Sequence, residues 1–284
     1  MPTLPTFVLV HGAFANSFSF APLQAELGLL GHRSVAVDLP GHGFEATFPA
    51  AYQAPQDADA LASAPGGIKD VTLADAVARV IAVLERARRN GPTVLVGHSR
   101  GGITLTAVAN ARPDLVDRLV YVSGWCPVDL DVAGYYAGPE MADVDPRAMA
   151  TALVGDPAEL GVLRCNFRTA DPEALGALRR TIGADLTDDE FRAFLNTFQP
   201  DDNLDAGTTA DCAHAATWGR IPKTYVRLAD DLAIPLAMQD RMIREGDART
   251  PDNPFDVHTL PGSHLHWLVH PEPAAEILAG LAAG

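Results

Sequence analysis

The chain has 284 residues, 48% of them hydrophobic, and a formal net charge of −15. That length suits one α/β domain with a large core, and the acidity works against nucleic acid or anionic lipid as partners, because both would repel it. Its three cysteines, Cys126, Cys165 and Cys212, are odd in number and far apart, which suggests neither a disulfide framework nor paired metal ligands and fits a reducing compartment.

No Pro/Gly/Ser-rich linker, repeat or low-complexity tract divides the sequence, so a single domain over residues 1–284 is expected. Its first apolar run, Phe7-Val8-Leu9-Val10, is too short for a signal peptide or a membrane span and has no basic segment before it. A cytoplasmic protein is expected, with no membrane association.

Phe7-Val8-Leu9-Val10 reads as the first buried strand. It runs into His11-Gly12-Ala13, a small-residue loop that can bring backbone N–H groups close to a ligand. Apolar residues at helical spacing over 20–30, ending at Gly31, predict a crossover helix, and 34–37 a second strand. Residues 44–71 are long and irregular, as active-site lids often are, and part of this segment is expected beside the pocket mouth. Thr72 caps an amphipathic helix with Leu73, Val77, Val80, Ile81 and Leu84 on one stripe. The Arg86, Arg88 and Arg89 cluster at its C-terminal end reads as a solvated helix terminus.

The stretch Thr93-Val94-Leu95-Val96 then reads as a fully buried strand that stops at Gly97. Gly97-His98-Ser99-Arg100-Gly101 fits G-x-S-x-G, the strand-to-helix elbow that presents a strained serine above a sheet, with a helix following over 102–110. Residues 119–123 predict the next strand.

From 125 to 218 the pattern becomes helical, with helices expected over 145–154, 172–182 and 187–198 and no strand. This excursion should cap the C-terminal ends of the strands, and two or three of its aromatics should touch a ligand. Strands resume at 224–228 and 255–260, separated by a helix from 236 to 245 and followed by a closing helix from 271 to 282. Such alternation implies a doubly wound, mostly parallel sheet with helices on both faces and its site at the strands' C-terminal ends.

Three residue types now follow three different strands in the order Ser99, Asp231, His264, which is nucleophile, acid, base. An imidazole takes the proton from a serine hydroxyl best when a carboxylate holds its tautomer. Asp231 is preferred to the adjacent Asp230, with Asp129 third, and His264 to His266 and His270. The backbone N–H groups of Ala13 and Arg100 are the expected oxyanion donors. The Arg100 side chain suits a loop ion pair better than a substrate carboxylate. His11, His42 and His98 read as structural histidines. The scattered His and Asp residues lack metal-ligand spacing, so neither a metal nor a cofactor is expected.

Val10-His11-Gly12-Ala13, Asp38-Leu39-Pro40-Gly41-His42-Gly43, the elbow through Gly102, Asp231-Leu232-Ala233-Ile234-Pro235 with Gln239, and Gly262-Ser263-His264 with Leu268 and Pro271 resemble the α/β-hydrolase superfamily. More narrowly they are similar to the branch of plant methylesterases, hydroxynitrile lyases and related bacterial esterases. That resemblance implies a six-stranded core, Asp231 as acid and His264 as base. A serine at the elbow argues against haloalkane dehalogenases and epoxide hydrolases, which require an aspartate there. The expected activity is serine hydrolysis of an ester, thioester or lactone of a fairly apolar small molecule through an acyl-enzyme on Ser99. The alternatives are a lyase, elimination or cyclisation reaction with His264 as proton shuttle, and a non-enzymatic ligand receptor.

Overall fold

The computed structural model describes residues 4–282 apart from 143 and 145–150. Its sheet has six parallel strands, β1 (Thr6–Val10), β2 (Arg33–Val37), β3 (Thr93–His98), β4 (Arg118–Val122), β7 (Lys223–Leu228) and β8 (Asp256–Leu260), in the spatial order β2-β1-β3-β4-β7-β8. β1 and β3 are buried at every residue, as expected for strands covered on both faces, whereas the outermost strands β2 and β8 are partly exposed.

One apolar layer packs Val80 and Leu84 of the helix Leu73–Ala87, together with Leu105 and Val108 of Gly101–Ala111, against Val8, Leu95 and Tyr121. On the opposite face Leu23 and Leu27 of Ala21–Leu29 and Leu278 of Glu272–Ala282 lie against Leu9, Val96 and Val226. Burying each such Leu or Val contributes about 1.5–3 kcal/mol.

From β1 the chain steps outward to β2, then crosses to the other side of β1 to form β3. Loops leaving β1 and β3 therefore diverge, and the crevice between them is where open parallel sheets bind ligands. That topology places Gly12 and Ser99 beside each other.

Two expectations need correction. Between β4 and β7 the chain is not wholly helical. Helices Pro172–Ile182 and Asp188–Leu195 form, but β5 (Val162–Arg164) pairs antiparallel with β6 (Asp201–Asn203). These strands are only three residues long, too short to show a strand period. Of the helix expected over 145–154, residues 145–150 lie outside the described residues. Leu153 instead bridges Cys165 beside this hairpin.

The 44–71 segment does not line the large cavity described below. It braces the hairpin from outside. Arg164 Nη1 donates to the carbonyls of Leu61 (2.8 Å) and Ala64 (2.6 Å), Gln56 and Asn166 pair through their amides, and Ile68 packs on Leu160 and Val162. A long irregular loop can be ordered by covering a hairpin as readily as by closing over a ligand.

Candidate active site

Ser99 lies at the turn between β3 and the helix Gly101–Ala111 with φ +53°, a left-handed conformation that costs an L-residue about 1–2 kcal/mol. Its carbonyl accepts from Trp125 N (2.9 Å) and Gly102 N (3.1 Å), which holds the turn. Two neighbouring positions tolerate only glycine. A Cβ on Gly101 would stand 2.5 Å from the Val10 carbonyl oxygen, and one on Gly12 2.8 Å from Ser99 Cβ.

Asp231 follows β7 and is buried. Its Oδ2 accepts from His264 Nδ1 (2.6 Å) and from Ser123 Oγ (2.5 Å), while Oδ1 accepts from the N–H groups of Ala233 (2.7 Å) and Ile234 (3.0 Å). Because the carboxylate accepts at Nδ1, the imidazole carries its proton there and presents Nε2 as an acceptor.

Ser123 went unrecognised in the sequence as part of this group. It directly follows β4, at φ +37°, and a serine just after a buried strand, followed by glycine, was the only signal. The adjacent Asp230 points the other way, its Oδ2 accepting from Gly262 N (2.9 Å) and so latching the turn before His264. Asp129 pairs with Arg249 (2.6 Å), His266 with Asp185 (2.7 Å) and His270 with Glu190 (3.3 Å).

His98, buried under the site, donates from Nε2 to the His264 carbonyl (3.1 Å), and its ring lies 4.4 Å from that of His264. Burial, with the neighbouring His264 adding to it, holds its pKa well below the ordinary value. His11 accepts at Nε2 from Leu39 N (3.2 Å) and donates from Nδ1 to the Gly12 carbonyl (2.9 Å). Burial first, then the nearby His42, lowers its pKa to about 3. His42 donates to the Pro40 carbonyl (3.0 Å). All three are bonded to backbone.

Ser99, His264, Ala13 and Arg100 line one cavity of about 440 Å³. Among the described residues the amides of Ala13 and Arg100 have no acceptor, and no hydrogen bond joins the Ser99 hydroxyl to His264. The Arg100 guanidinium is engaged elsewhere, donating to Asn203 Oδ1 and the Asp205 carbonyl, both at 2.6 Å.

The walls are apolar. Of the aromatics in the excursion, Trp125, Tyr136, Phe167, Phe194 and Phe198 line the cavity, while Tyr135, Phe191 and Trp218 pack elsewhere. This cavity could hold a largely apolar molecule with one polar group at Ser99.

A model of the alpha/beta hydrolase family matches residues 7–279. The chain is 27% identical over 282 residues to a pyrethroid hydrolase of Sphingobium wenxiniae, covering 99% of this chain and 88% of that protein. It is 24% identical to Methylesterase 7 of Arabidopsis thaliana over 242 residues, 84% of this chain and 83% of the relative. Among solved structures, a pyrethroid hydrolase from Sphingobium faniae superposes with a TM-score of 0.71 at 24% identity, covering 99% of this chain and 98% of that one. Polyneuridine aldehyde esterase does so with 0.71 at 16%, covering 98% and 99%. At those identities the structural likeness carries the fold, and the match over nearly the whole sequence carries the family: this chain is an enzyme of the alpha/beta hydrolase family.

Proposed function

We propose that the protein hydrolyses carboxylic esters, thioesters or lactones of fairly apolar small molecules through an acyl-enzyme on Ser99. The observation that carries this reading is the buried Asp231–His264 hydrogen bond of 2.6 Å beside a left-handed Ser99 in one apolar cavity. Two relatives, a pyrethroid hydrolase and a methylesterase, bear names of ester hydrolases and support it.

In this reading His264 Nε2 accepts the Ser99 proton as Oγ attacks the carbonyl carbon, and Asp231 stabilises the resulting imidazolium. The hydroxyl and ring close to hydrogen-bond distance with substrate present, since such contacts commonly tighten only in the complex. The N–H groups of Ala13 and Arg100 receive the developing oxyanion. His264 then returns its proton to the leaving alcohol or thiol, and water repeats the sequence on the acyl-enzyme. The segment between β4 and β7 acts as a cap that excludes bulk water.

Turnover of p-nitrophenyl butyrate decides the matter. Ser99→Ala should lower kcat more than about 10³-fold. An Ser99→Ala variant with undiminished ester turnover overturns the acyl-enzyme. An inert ester series, with a different reaction still dependent on His264, would replace it by elimination or lyase chemistry.

A further inference from the structure

Both expected oxyanion donors sit on loops held by residues of the segment between β4 and β7, Asp202 of β6 among them. Phe14, the residue after Ala13, is left-handed at φ +59°, which a bulky side chain holds only where its surroundings over-determine it. Asp202 Oδ2 accepts its N–H at 2.6 Å, Gln199 N donates to its carbonyl at 2.9 Å, and its ring meets the edge of Phe167 at 5.1 Å. All three partners belong to the segment between β4 and β7.

The second donor is treated similarly. Asp202 Oδ1 lies 3.8 Å from Arg100 Nε and 3.9 Å from His42 Nε2 and accepts from Asn203 N (2.8 Å), while Arg100 itself reaches Asn203 and Asp205. A fully buried carboxylate on β6 thus has one oxygen on the loop after β1 and the other facing the elbow.

We propose that Asp202 is a positioning residue for the oxyanion hole, fixing the Ala13 and Arg100 amides relative to each other so that the donors are arranged only when β6 is docked. The proposal rests on the Ser99 reading above. It follows from geometry: a left-handed Phe14 relaxes once its N–H partner is gone, and the peptide it relaxes through adjoins the one bearing the Ala13 N–H. Displacement of a catalytic group by about 1 Å can cost on the order of 100-fold in rate.

The test is a double-mutant cycle with p-nitrophenyl butyrate as substrate and a phenylalkyl trifluoromethyl ketone as inhibitor. Ser99 Oγ bonds to the ketone carbon, the Ser99 proton passes to His264, and the C=O π pair becomes an oxyanion in the hole. Asp202→Ala should lower kcat by about 10- to 100-fold with KM within about threefold, and weaken the ketone by the same factor as kcat. In a Phe14→Gly background, where glycine takes the left-handed conformation without strain, the same substitution should cost several-fold less than in the wild type, leaving only the part that acts through Arg100.

A cost that persists undiminished in that background, a loss confined to KM, or kcat within about twofold of wild type overturns the proposal. Should Asp202→Ala fail to fold, the wild-type Phe14 amide decides: a slowly exchanging, downfield N–H supports it and a freely exchanging one overturns it. Ser99→Ala assayed in parallel separates the two ideas, because its retention of activity sinks the serine mechanism whatever Asp202 does.

Discussion

Asp230 and Asp231 are identical side chains on consecutive residues, yet one latches a turn and the other receives an imidazole. The difference is direction alone: after β7 the chain turns so that Asp231 points inward, with the Ala233 and Ile234 amides fixing its other oxygen. Ser123 adds a fourth hydrogen bond to Asp231. Its replacement by alanine removes one orienting contact and leaves three, so kcat should fall by about three- to tenfold with KM little changed, measurable in the same ester assay.

His11 gives a second residue-scale expectation. Its folded pKa of about 3 lies below that of the unfolded chain, so between those values the unfolded state binds more protons. Stability is then fully present above the unfolded value near 6.5 and is lost as pH falls towards about 3, by up to about 1.4 kcal/mol per pH unit. His98, shifted in the same direction, adds to that loss. Denaturant unfolding at pH 7 and pH 5 should show it, and His11→Gln, which removes the titrating group, should flatten the dependence.

Among the elements, the β5–β6 hairpin is held by a buried ion pair. Arg164 on β5 is completely buried and meets Asp201 on β6 through two hydrogen bonds, Nε to Oδ1 at 2.6 Å and Nη2 to Oδ2 at 2.7 Å. Removing one partner of a buried pair strands the other charge, so Asp201→Ala should destabilise by about 3–5 kcal/mol. Differential scanning calorimetry would register the lower Tm. Limited proteolysis should then cut first within residues 52–64, whose Leu61 and Ala64 carbonyls rely on Arg164.

At the scale of the whole molecule, 36 acidic side chains face 21 basic ones. Self-repulsion of like charge opposes compactness, and salt screens it over a Debye length that falls from about 30 Å at 0.01 M to about 8 Å at 0.15 M. Tm should therefore rise over that range of sodium chloride. Many of the ion pairs are exposed, such as Arg112 with Asp114 and Arg192 with Asp189, and contribute little that salt could remove. The two apolar layers on either side of the sheet supply the bulk of the stability, and the topological crossing between β1 and β3 sets where the cavity opens.

The sequence by itself determined the parallel sheet and its crossover helices, because buried strands and amphipathic helices write their period into consecutive residues. Pro172–Ile182 was legible in this way to the residue, and Thr72 announced its helix as a cap. Ser99 was legible because its turn needs glycines next to it. Only the tertiary structure decided which aspartate meets His264, that Ser123 joins them, and that Arg100 binds Asn203 of the hairpin. The same holds for Arg164, Asp201 and Asp202, whose partners lie dozens to nearly two hundred positions away. Polar contacts between distant segments depend on the direction a side chain takes after folding, and local sequence carries no period or spacing that records it.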